Sequence, residues 1–116
     1  MKFWVEAFGL SLERVEQVPR EGVAVAFLPV GESEIELLQP TDPEGGVARY
    51  LEKRGAGLHH LCFEVDDIDA TLARLKAAEI PLINETAVAG GDGKKYAFVH
   101  PKGTGGVLVE LYELPG

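Results

Sequence analysis

Residues 58–83, LHHLCFEVDDIDATLARLKAAEIPLI, change period part-way along, and that change decides the fold. Over 58–65 the side chains alternate as in a strand, with His60, Cys62 and Glu64 on one face and Leu61, Phe63 and Val65 on the other. Asp66 and Asp67 then open a helix in which Ile68, Leu72 and Leu75 recur at i, i+4 and i+7. Carboxylates at its start suit the positive end of the helix dipole. The aliphatic face of the strand is expected to pack under this helix.

Downstream, residues 95–99 and 107–112 read as two strands joined by the turn HPKGTGG (100–106), after an extended stretch around 81–84. Upstream, PEGGVARYLEKR (43–54) predicts a short helix that stops at Gly55. Residues 22–28 and 34–38 predict a hairpin turning at Pro29, Val30 and Gly31. Phe3, Ala7 and Leu10 make a helical stripe over 2–10, about two turns long and marginal alone. Short strands and helices punctuated by Gly and Pro describe an α+β chain.

A repeat organises these elements. Ala26-Phe27-Leu28 and Glu36-Leu37 return as Ala97-Phe98-Val99 and Glu110-Leu111, at offsets of 71 and 74 residues. Two βαβββ modules are implied within a single domain, residues 1–55 and 56–116. The strand of the second module that carries His60 has its expected counterpart before Met1, so the first module reads as incomplete at its N-terminus.

Composition bounds the function. The 116 residues suit one domain, and 46% hydrophobic content suffices for an ordinary core. Nineteen acidic against 11 basic residues give a net charge of −8, unfavourable for nucleic acid or an anionic membrane. Cys62 is the single cysteine, which excludes an intramolecular disulfide and a Cys-only zinc site; it reads as a small buried hydrophobe. The longest apolar run, residues 23–30, is too short to span a membrane, and a cytoplasmic protein is expected.

Sorting the other strands by parity puts Glu34, Glu36 and Leu38 opposite Ile35 and Leu37, and Leu108, Glu110 and Tyr112 opposite Val107, Val109 and Leu111. Glu36, His60 and Glu110 therefore fall on non-aliphatic faces. Carboxylates in mid-strand are costly unless paired, solvated or bound to a cation. One imidazole and two carboxylates suit a first-row divalent ion with positions left for substrate; solvent-facing glutamates on a sheet wet on one side are the plainer alternative. His59, of opposite parity, is expected to pack or hydrogen-bond on the helix side, and His100 to belong to its turn. The glycines of 90–93 and 103–106 lack the strand-to-helix context of a phosphate loop and read as hairpin loops. Lys94, Lys95 and Lys102 lie beside them, either as ordinary solvated lysines or as anion-binding groups near a cavity mouth; in the second reading Lys95 and Lys102, with Phe98 and His100, are the expected substrate contacts.

Three segments carry a resemblance: GVAVAFLPVGESEIELLQP (22–40), YLEKRGAGLHHLCFEVDDIDATLARLKAAEIPLI (50–83) and FVHPKGTGGVLVELYE (98–113). In them the chain resembles the methylmalonyl-CoA epimerases of the vicinal oxygen chelate (glyoxalase/bleomycin resistance) superfamily. The resemblance implies paired βαβββ modules in a curved mixed sheet around a divalent metal of the Co, Mn, Mg, Ni or Zn type, usually in a homodimer. The family's ligand motifs fall on Glu36, His60 and Glu110, and a further family histidine has no counterpart. The implied reaction is interconversion of the C2 epimers of an acyl-CoA substrate, methylmalonyl-CoA, with Glu110 as one acid-base group. A glyoxalase-type lyase and a non-catalytic small-molecule-binding protein are the alternatives within the superfamily.

Overall fold

The computed structural model describes residues 1–116, the side chain of Asp92 excepted. The chain packs as two units, Met1–Gly57 and Leu58–Gly116, each with its own sheet.

In the first unit β1 (Arg14–Val18), β2 (Val23–Val30) and β3 (Ser33–Pro40) form an antiparallel meander in that order. The run VAVAFLPV places β2 in the middle because its apolar side chains can be buried on both faces. Val23, Val25 and Phe27 cluster with Val18, Leu38 and Val47, while Ala26 and Leu28 are buried on the reverse face. Val47 comes from helix α1 (Gly46–Arg54), which ends at Gly55 as expected. Gly55 takes φ 72° and donates its N–H to the Leu51 carbonyl, a backbone state that favours glycine.

Three local expectations change here. The hairpin turns at Gly31 and Glu32, and β2 runs on through Pro29 and Val30. Pro29 is tolerated because β1 reaches only as far as Phe27, so the proline needs to donate nothing on that side. β1 itself, RVEQV, falls in a stretch from which no strand is expected. Residues 2–10 give a π-helical turn, Lys2–Ala7, with none of its residues buried; Phe3, Trp4 and Phe8 pack on one another instead.

The second unit is a βαβββ module: β4 (His60–Glu64), α2 (Ile68–Ala77), β5 (Val88–Ala89), β6 (Lys95–Val99) and β7 (Leu108–Glu113). The sheet order is β4-β7-β6-β5, with β4 parallel to β7 and the other pairs antiparallel. The expected extended stretch is bridged to β6 through Leu82 and Val99. The start of α2 is fixed twice. Asp67 accepts from the Ala70 N–H at 3.0 Å, and Glu113 reaches from β7 to accept from the Ile68 N–H at 2.8 Å. Ile68 and Leu72 are then buried on Ala97, Val99 and Leu111, with Leu75 packed beside them.

The helix covers only part of the sheet. It lies over β6 and β7, so Val65 reaches the core, whereas Leu61 and Phe63 are 41% and 52% exposed. The expectation that the whole aliphatic face of β4 packs under a helix is therefore corrected: β4 lies beyond the two strands that α2 spans. Among the described residues no helix is long and apolar enough to cross a membrane.

Candidate functional site

The site face of the second unit follows from register. β7 lies between β4 and β6, so Glu110 has Cys62 opposite it on one side and Phe98 on the other. Alternation gives His60, Cys62, Glu64, Leu108, Glu110, Tyr112, Tyr96 and Phe98 to one face, the face away from α2. Across it His60 Nε2 lies 3.5 Å from Glu110 Oε1, each side chain about a quarter exposed (27% and 25%). The Phe98 ring borders the pair, 6.4 Å centroid to centroid from His60 and 6.0 Å from Tyr96.

Three neighbours complete the electrostatics. Tyr112 Oη lies 3.4 Å from Glu64 Oε1, and burial, then the Glu64 carboxylate, pushes its phenol above the usual tyrosine value. Lys94 Nζ sits 5.1 Å over the Tyr112 ring, which brings a cation to this face. His59 Nδ1 and His60 Nδ1 are 2.9 Å apart, and burial, then the adjacent imidazole, holds the His59 ring below the usual histidine value.

The remaining residues singled out in the sequence fall as follows. Lys95 lies on the opposite face with Ala97 and Val99, its Nζ 3.7 Å from Asp69 of α2, so strand parity keeps it away from Glu110. His100 caps the short turn Pro101–Gly103, its Nδ1 accepting from the Lys102 N–H at 3.0 Å, as the turn reading expects. Cys62 is exposed rather than buried, because its face of the sheet is turned away from α2. His59 hydrogen-bonds to His60 itself; it precedes the first residue of β4, so strand alternation does not govern it. In the first unit Glu36 stands opposite Phe27 in the register that Glu110 has with Phe98. The Arg14 guanidinium lies 3.8 Å over the Phe27 ring and pairs with Glu13, Glu16 and Glu34. Arg14 is missing from the sequence reading because β1 was; the 71-residue offset, which carries 14–18 onto 85–89 around β5, is the signal that would have found it.

The donor chemistry of His60 and Glu110 fits a divalent cation. An imidazole nitrogen and a carboxylate oxygen on adjacent strands, partly exposed and 3.5 Å apart, can occupy two neighbouring positions on a first-row ion. Among the described residues no three His, Cys, Asp or Glu side chains are grouped to hold an ion.

The sequence profile of the glyoxalase/bleomycin resistance protein/dioxygenase superfamily matches residues 1–98. The chain belongs to this superfamily. Within it, the chain is 39% identical over 110 residues to the mitochondrial methylmalonyl-CoA epimerase of Mus musculus, a match covering 94% of this chain and 62% of that one. It is 38% identical over 108 residues to an ethylmalonyl-CoA/methylmalonyl-CoA epimerase of Cereibacter sphaeroides, covering 91% and 81%. The crystal structure of methylmalonyl-CoA epimerase from Mycobacterium tuberculosis superposes with a TM-score of 0.77 at 35% identity, over 99% of this chain and 78% of that one. The chain thus spans less than two thirds of the mouse relative and more of the bacterial ones.

Proposed function

We propose that this superfamily member is an isomerase that interconverts the two C2 epimers of methylmalonyl-CoA. The observation that carries the reading is the imidazole–carboxylate pair, His60 and Glu110 at 3.5 Å, on a sheet face bordered by Phe98, in a chain whose relatives are named as epimerases of this substrate.

His60 and Glu110 are the residues of the second unit that would hold a divalent ion of the Co, Mn, Mg, Ni or Zn type. When bound, such an ion supplies Lewis-acid stabilisation of the negative charge that develops on substrate oxygen as C2 is deprotonated. Glu110 is the general base. Its carboxylate takes the C2 proton as the C2–H electron pair moves into the carbonyl system; a second acid on the opposite side of C2 then donates a proton as that electron pair returns to C2, which completes the inversion. Phe98 narrows the wet side of the pair and strengthens its electrostatics. Lys94, over Tyr112 on the same face, adds positive charge for an anionic substrate. The acyl-CoA is the small-molecule partner, and the active form in this reading is a homodimer.

Chiral analysis of methylmalonyl-CoA tests the reading. Starting from one epimer, the purified chain with added Co²⁺ is expected to produce the racemate. Retention of the starting configuration, with turnover of a glutathione hemithioacetal instead, would assign the site to lyase chemistry.

A further inference from the structure

We infer that His59 is a positioning residue that holds the His60 ring with its Nε2 turned to Glu110. Two imidazole nitrogens 2.9 Å apart form a hydrogen bond only when one carries a proton and the other a lone pair. The contact runs Nδ1 to Nδ1, so it engages the His60 ring nitrogen nearer the backbone and leaves Nε2 as the atom facing the Glu110 carboxylate at 3.5 Å. The two rings stand nearly perpendicular, 82° between planes with centroids 5.1 Å apart, which fixes the His60 plane as well as its position.

The consequence for a metal rests on the proposed function. A cation takes the lone pair of Nε2, which requires the His60 ring proton to reside on Nδ1. His59 Nδ1 then accepts that proton in a hydrogen bond, with its own ring proton on Nε2. His59 thus performs the orienting task that a carboxylate or backbone carbonyl often performs for a metal-binding histidine. Only the backbone chain connects the two residues in sequence, and no spacing rule reveals the contact.

The test uses the full chain labelled with ¹⁵N-histidine, with Zn²⁺ as the probe. In the metal-free protein, nitrogen–nitrogen coupling across the hydrogen bond is expected between His59 Nδ1 and His60 Nδ1. Its absence overturns the inference. With Zn²⁺, His60 is expected to show a protonated Nδ1, and calorimetry of His59→Leu to show affinity reduced by about 10- to 100-fold. His59→Asn, whose side-chain oxygen can sit near the place of Nδ1 and accept the same proton, is expected to bind within about threefold of the parent. Equal Zn²⁺ affinity in parent and His59→Leu, or no Zn²⁺ binding by the parent, overturns the inference. Loss in both variants alike also contradicts it, since the asparagine retains the acceptor. These readouts need no substrate. A chain that shows the coupling and the Leu–Asn contrast but does not racemise methylmalonyl-CoA would sink the proposed reaction and leave the role of His59 standing.

Discussion

The carboxylate of Glu110 lies 3.5 Å from the imidazole of His60, although the parallel register pairs Glu110 with Cys62. The contact is diagonal, between Glu110 and the residue two before its register partner on β4. It brings an acid-base group and a candidate ligand together at one point of the sheet. Replacing Glu110 with glutamine keeps the shape and removes the base. Glu110→Gln is expected to lower kcat at least about 100-fold with an unchanged melting temperature, read from chiral turnover and thermal unfolding.

Lys94 and Lys95 provide a contrast between adjacent residues. Lys94 reaches over Tyr112 on the Glu110 face, while Lys95 points to Asp69 on α2. Lys94→Ala is expected to raise KM for the acyl-CoA about two- to fivefold, the scale of one exposed charge interaction. Lys95→Ala should leave KM unchanged and alter stability by less than about 1 kcal/mol, since its ion pair is exposed. Steady-state kinetics and urea unfolding of the two variants check both statements.

Stability of the second unit depends on how α2 is seated. Leu72 is 2% exposed, and Leu72→Ala is expected to cost about 2–5 kcal/mol through lost burial and the cavity left behind. Asp67→Ala removes the cap bond to the Ala70 N–H and is expected to cost about 1 kcal/mol. Glu113→Ala strips the Ile68 N–H of its partner from β7, with a comparable loss of about 1–2 kcal/mol. Urea midpoints for the three variants should rank in that sense, with Leu72→Ala lowest.

Alkaline pH isolates Tyr112. Its phenol holds its proton more tightly in the folded chain, because burial and then Glu64 oppose the phenolate. The unfolded chain releases that proton first, near its ordinary value of about 10. The stabilisation is therefore full below about pH 10 and is lost as pH rises through the raised folded value. Wild type is expected to lose urea stability relative to Tyr112→Phe above about pH 10, with a constant difference below it. A difference that stays constant through pH 11 would contradict this assignment.

Much of the second unit was legible because its signals are local. The switch from alternation to an i, i+4, i+7 pattern marks β4 and α2, and the repeat gives Phe98 and Glu110 the positions of Phe27 and Glu36, which the two sheets then pair in the same register. What escaped the sequence depends on neighbours that no local pattern encodes. RVEQV has two apolar residues, so β1 shows no clear period, and β2 carries its proline only because β1 stops short of it. Leu61 and Phe63 look like core until α2 is seen to lie mainly over β6 and β7. Among the site residues, parity gave His60 and Glu110 a common face. The contact of His59 with His60 required a ring geometry at the edge of a strand, where parity does not apply.

The most direct test of the account is proton exchange at C2. The purified chain, a divalent cation and one epimer of methylmalonyl-CoA are incubated in D₂O, and deuterium at C2 is read by mass spectrometry beside Glu110→Gln. The account predicts deuterium at C2 with the parent chain and its loss with the variant. A parent chain that leaves C2 fully protonated, or a variant that exchanges as fast as the parent, would contradict it.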